Sequence, residues 1–134
     1  MKTIYSILSV IFLMTLSACS SDPFVGEWMP ANDTSGTSVT EIKSDGTITM
    51  IIDADDGYGK ISGSWNRVAD SENTIIVKFD DNTIKLDVEN PLVAMFMQQG
   101  MELLADEGDM RFVLSDDGDR LINESDSSKS FVRK

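Results

Sequence analysis

The 134-residue chain carries 23 acidic residues against 11 basic ones and no histidine, for a formal net charge of −12. That charge repels nucleic acid phosphates and anionic headgroups, and no Lys/Arg stripe opposes it, which excludes a nucleic acid partner. The lack of histidine removes Ser-His-Asp and Cys-His catalytic sets and imidazole metal sites, and the single cysteine, Cys19, rules out an internal disulfide.

Met1 to Ala18 begins with one cation, Lys2, continues as an apolar run from Ile7 to Leu16, and ends on the small pair Ser17 and Ala18. That is the layout of a secretory signal peptide. The apolar run is about half of the ~20 residues a helix needs to cross a bilayer, so the segment reads as a leader and not as a span. Leu16-Ser17-Ala18-Cys19 resembles the lipobox of bacterial lipoproteins, in which the cysteine thiol receives a diacylglyceryl group, the peptide is cut before it, and the new amine is acylated. The resemblance implies Cys19 as the lipidation site. Two acyl chains already anchor a protein stably, so three would hold this one on the membrane. Ser20, in place of an aspartate after the cysteine, implies the outer membrane with the protein facing the periplasm. Ser20 to Pro23 is then the whole tether, about 13 Å at ~3.3 Å per residue. The expected organisation is a leader over 1–18, a lipidated cysteine and tether over 19–23, and one domain with one core over 24–134.

Periodicity makes that domain mainly β. Val25 to Met29 reads as a short first strand. Ser38 to Lys43 and Thr47 to Asp53 flank Ser44-Asp45-Gly46, and Asp-Gly between such runs is a strong hairpin signal. Ile48, Met50 and Ile52 share one face while Thr47 and Thr49 take the other, the period of a half-buried strand. Ile61, Gly63 and Trp65, then Ile75, Val77 and Phe79, then Ile84, Leu86 and Val88 repeat the pattern with polar turns between them. Asp109 to Ser115, Arg120 to Glu124 and Ser130 to Arg133 complete an antiparallel meander.

One segment breaks the rhythm. Asn90 is suited to cap a helix and Pro91 to open its first turn, and a helix is expected over about 91–106. Leu92, Val93, Phe96, Met97, Met101, Leu103 and Leu104 fall within about half of its wheel, and Met95 points with the polar residues. Gly100 lies in the middle of the apolar half, where it costs ~1 kcal/mol relative to alanine and would let the helix approach the sheet closely. The helix is expected to pack across a barrel end or face.

Phe24-Val25-Gly26-Glu27-Trp28 resembles the Gly-x-Trp start of lipocalins. Glu41 to Thr47, with its Asp-Gly-Thr hairpin, and Gly63-Ser64-Trp65 are similar to small bacterial lipocalin-like domains, which also close on a phenylalanine and basic residues, as Phe131-Val132-Arg133-Lys134 does. The Thr-Asp-Tyr triplet of lipocalins is absent, and the helix precedes the last three strands instead of following the barrel. The resemblance implies a meander closing into a barrel of about eight strands. It also implies that Trp28 closes one end beneath Arg133, a cation–π contact of roughly 0.5 to 2 kcal/mol. Candidate ligand-lining residues are Met50, Ile52, Trp65, Val77, Leu86, Phe96 and Phe112.

The acids fall in turns or at outward positions, whereas catalytic carboxylates need burial or a partner that shifts them. No catalytic site, metal or cofactor is expected. Asp53-Ala54-Asp55-Asp56-Gly57 offers hard oxygen ligands, but its glycine is fifth where an EF-hand loop has it sixth and no glutamate closes it, so it reads as an acidic hairpin tip. Two functions remain open. The barrel could bind a small apolar molecule at the cell envelope, since eight strands can enclose one small ligand. Alternatively its own side chains fill it, and the domain is an acidic module that steers a basic envelope protein onto itself.

Overall fold

The computed structural model describes residues 22–32 and 37–134. The leader expected over 1–18 and most of the tether, Cys19 included, lie outside the described residues. The strands are β1 (Gly26–Pro30), β2 (Ser38–Ile42), β3 (Thr47–Ala54), β4 (Gly57–Arg67), β5 (Thr74–Val88), β6 (Met110–Leu114), β7 (Arg120–Asn123) and β8 (Phe131–Arg133). Helix α1 (Pro91–Asp106) separates β5 from β6, and a 3-10 turn (Ser127–Lys129) precedes β8. Each strand pairs antiparallel with the next, and β8 returns to β1, so the sheet closes into an eight-stranded barrel. The mainly β class, the meander and the helix before the last three strands are as the sequence predicts.

Closure gives the barrel two unlike ends. At one end the chain enters at Asp22, and the connections β2–β3, β4–β5 and β6–β7 turn there. At the other end lie the close of β1, the start of β2, the β3–β4 and β7–β8 connections and both ends of α1. The hydrogen-bonded register carries inward side chains across neighbouring strands, as in the row Trp28, Thr40, Met50, Ile61. Trp28, Ile61, Ile75, Val77, Phe112 and Leu121 are buried in one continuous core.

Two runs expected as separate strands, Ile75 to Phe79 and Ile84 to Val88, are one continuous strand. Lys60 pairs with Lys85 and Ser62 with Asp80, so residues 81–84 stand opposite Ile61 alone. The Asp/Asn chemistry that signals a turn is present, but it builds a bulge. The Asp80 carboxylate accepts from Asn82 N–H at 2.9 Å. Ser62 N–H donates to the Thr83 hydroxyl at 2.8 Å, which ties the bulge back to β4.

The β4–β5 ribbon extends past the bulge, and α1 packs on it at the end away from Asp22. Asn90 caps the helix by accepting from Leu92 N–H, with Pro91 in the first turn. The hairpin tip helps to seat it, because the Asp56 carboxylate accepts from Asn90 N–H at 2.8 Å. Ile52, Gly59 and Leu86 stand side by side beneath it. A Cβ added to Gly59 would come within 2.6 Å of the Met97 methyl and 2.9 Å of a Met101 methyl, so the close-approach glycine lies on the strand. Gly100, expected to serve that role, meets nothing within 4 Å and is exposed. The apolar half of the helix is wider than the ribbon. Met101 is buried and Leu104 and Ala105 are packed against the core, while Leu92, Phe96 and Leu103 stay in solvent.

Candidate functional site: the barrel mouth

At the Asp22 end the barrel is shut by side chains. Trp28 is fully buried, and its indole N–H donates to the Phe24 carbonyl at 3.0 Å. The Arg133 guanidinium lies 4.3 Å from the Trp28 ring centroid and donates to the carbonyls of Pro23 and Gly118. Trp28 and Arg133 are therefore in contact, the geometry that the lipocalin resemblance implies. Gly26 has φ +141, and a Cβ there would sit 3.2 Å from Arg133 Nη1, so glycine suits both the backbone and the passing guanidinium.

A second stack reinforces the first. Register places Arg67 opposite the buried Ile75, on the inward face, but at the rim, where a charge need not lose its water. It lies 5.0 Å over the Phe24 ring and pairs with Asp22 at 2.6 Å. Phe24 in turn packs on Trp65, whose indole N–H donates to the Lys43 carbonyl at 2.7 Å. Phe24 and Arg67 were not singled out from sequence; the signal available was an arginine at an inward position two residues after Trp65.

The middle of the barrel is filled. Only a void of about 10 Å³ remains among Trp28, Thr40, Ile42, Ile48, Ile75, Val77, Phe112, Leu121 and Phe131, about the space of one water. The Thr40 hydroxyl is buried there with no hydrogen-bond partner among the described residues.

Among the described residues, the other end is not filled. A recess of about 310 Å³ has apolar walls from Met50, Phe79, Leu104, Met110, Phe112 and Phe131. Phe112 and Phe131 meet at 5.6 Å between ring centroids, and they line both the central void and the recess, so they form its floor. Leu104 brings α1 to its wall. Asn123, Ser130 and Lys129 add the polar edge. The Asn123 side-chain oxygen accepts from Ser125 and Asp126 N–H, and the Ser130 hydroxyl donates to the Ser127 carbonyl. Lys129 Nζ pairs with Glu107 at 2.5 Å, bridging the 3-10 turn to the end of α1; this hydrogen bond and charge hold the ammonium above its ordinary pKa. An apolar hollow with a few fixed polar groups is suited to a small, mainly apolar molecule.

Of the seven candidate lining residues, Met50 and Phe112 meet at this recess. Val77 borders the central void. Ile52 and Leu86 lie under α1, Trp65 belongs to the shut end, and Phe96 faces solvent. Alternation places a residue inside or outside a barrel, but its height along the axis depends on strand tilt and stagger. A wider trough of about 650 Å³ runs along the bulge to the end of α1, with Thr47, Ser62, Lys78, Asp80, Asp81 and Asp106 on its walls.

Comparison with known protein-family models, curated proteins and solved structures gives no significant match. The likeness to lipocalins therefore rests on the chain's own motifs and on the closed eight-stranded barrel.

Proposed function

We propose that this is a lipid-anchored protein of the bacterial envelope whose lipocalin-like barrel binds a small apolar molecule at its mouth. The observation that carries the reading is the recess over Phe112 and Phe131, which has the size and apolar lining of a small-molecule pocket. The reading of a binding domain, not an enzyme, is supported by the polar residues at the recess: Lys129, which is committed to Glu107, the carboxamides of Asn32 and Asn123, and the hydroxyls of Ser128 and Ser130, which donate to Asp126 and to the Ser127 carbonyl.

The anchor part of the reading rests on Leu16-Ser17-Ala18-Cys19. Arg133 holds the Pro23 carbonyl at the shut end. With lipid on Cys19 and a tether of about 13 Å, the shut end would rest on the membrane and the mouth would open away from it. The ligand would then be taken from the aqueous side and not directly from the bilayer.

Native mass spectrometry of a Cys19→Ser protein, exported in its host and purified gently, tests this. A bound small mass is expected, removable by organic solvent and reduced in Leu104→Trp, which fills the recess from its rim. A bare chain in both proteins would overturn the ligand reading.

A further inference from the structure

The outward side of α1 is apolar where solvent should favour polar residues. Leu92 is 56% exposed, Phe96 62% and Leu103 67%, with Met95 at 48% beside them. At 100° per residue, Leu92, Phe96 and Leu103 lie within about 40° of one another. Met101, which is buried against the ribbon, projects to the opposite side. The stripe therefore faces straight away from the barrel, and it takes no part in the mouth recess, whose helix residue is Leu104. Exposed Gln99 lies on the same side, between Phe96 and Leu103, so the patch is a set of apolar residues around one carboxamide, and exposed apolar groups clustered on one helix face mark a contact surface.

Charge identifies what fits it. From Leu86 to Asp109 the chain has Asp87, Glu89, Glu102, Asp106, Glu107 and Asp109 and not one lysine or arginine. Three of these acids crowd the C-terminal end of α1, where the helix dipole is negative and no basic residue occupies the last turn. Acids there work against the helix. Lys129 answers Glu107; Glu102 and Asp106 have no basic partner among the described residues.

We propose that the stripe Leu92, Phe96, Leu103 is a docking surface for a basic amphipathic helix of another protein. That helix would lay its apolar residues on the stripe and its lysines or arginines over Glu102 and Asp106, in the helix-on-helix mode of i, i+4, i+7 anchors. A second copy of this chain is a poorer occupant, because it brings the same acids to the contact. A lipid surface is poorer too: its phosphates meet the same repulsion, and the stripe lies at the end of the barrel away from Pro23. The inference is independent of the small ligand, because the two surfaces share no residue.

The probe is a synthetic Leu/Lys amphipathic helix of about 18 residues, five turns, titrated by fluorescence anisotropy into the exported Cys19→Ser protein. A Leu/Glu counterpart and zwitterionic phosphatidylcholine vesicles serve as comparisons. The Leu/Lys helix is expected to bind, more weakly as salt rises from about 50 to about 500 mM, and the Leu/Glu helix to fail. Phe96→Gln with Leu103→Gln, both fully outward and so harmless to the fold, should weaken binding at least tenfold. Glu102→Gln with Asp106→Asn should remove most of the salt dependence, while Asp116→Asn with Asp119→Asn, exposed in the β6–β7 turn at the shut end, should leave binding unchanged. Equal loss from the pair at the shut end, or none from Phe96 and Leu103, would overturn the proposal. So would a dimer in sedimentation that Phe96→Gln dissolves, or vesicle binding that the same change abolishes.

Discussion

Thr40 is the residue least at ease in the core. It pairs in register with both Trp28 and Met50, its exposure is 1%, and its hydroxyl lacks a partner among the described residues. An unsatisfied buried hydroxyl costs about 1–3 kcal/mol, whereas an apolar group of the same shape costs nothing of that kind. Thr40→Val keeps the branch at Cβ, keeps the volume, and favours a strand. It should therefore raise the melting temperature, by about 1 kcal/mol of added stability, measured by thermal unfolding. A fall would mean that the central void, near the limiting size for one water, holds a water bonded to this hydroxyl. At this scale the shut end was legible in part. The contact of Trp28 with Arg133 was legible through the resemblance of Gly26-Glu27-Trp28 and of the basic end of the chain to lipocalins. No such motif marks Arg67, whose stack on Phe24 and pairing with Asp22 depend on how the closed barrel brings β4 beside the segment before β1.

At the scale of elements, Gly63 and Gly100 differ in what surrounds them. Gly63 sits within β4 opposite the bulged strand, and a Cβ there would fall 2.0 Å from the Lys78 carbonyl oxygen and 2.7 Å from Phe79 Cα. Backbone cannot step aside as a side-chain tip can, so Gly63→Ala should force β4 and β5 apart and destabilise by about 1–3 kcal/mol, the usual range for overpacking. Gly100 is in the interior of α1, in open space. Gly100→Ala should stabilise by up to about 1 kcal/mol, through helix propensity and a less disordered unfolded chain. Chemical denaturation of both variants checks the pair, and a stabilised Gly63→Ala would mean that the ribbon is not packed this tightly. Period-2 alternation made nearly every strand legible, because a barrel sorts side chains strictly into inside and outside. It did not reveal that Asp80 to Thr83 is a bulge, since Asp, Asn and Thr make the same local hydrogen bonds in either setting. Nor did it reveal the rotation of α1. Seven apolar residues over half a wheel specify a helix that packs on something, but which third of them meets the ribbon is set by Gly59, a residue on another element.

For the whole molecule, net charge competes with the turns as pH falls. At neutral pH the excess of 23 acids over 11 cations is self-repulsive, and surface ion pairs such as Arg111 with Glu124 and Lys134 with Glu27 are half exposed and individually weak. Added salt should therefore raise the melting temperature at pH 7 by screening the repulsion. Acidification towards about pH 5 should act in the same direction as the net charge shrinks. Further acidification meets the opposite effect. Asp45, Asp117 and Asp126 are held below the ordinary carboxylate pKa, chiefly by hydrogen bonds from the side chains of Thr47, Ser115 and Ser128 and also from turn N–H groups. A lowered pKa in the folded state contributes stability that is complete above the unfolded value and is lost as pH falls through the folded one. That loss belongs below about pH 4. Stability at low salt should accordingly peak at mildly acidic pH, with the peak flattened by salt on its neutral side only. Asp117→Asn can keep an acceptor in its turn without titrating, so it should lower the steepness of the acid limb and leave the neutral limb as it is. Calorimetry from about pH 2.5 to 8 at two salt concentrations reads both limbs. A melting temperature that falls steadily from pH 7 downward at low salt would mean that the turns, and not the net charge, dominate throughout.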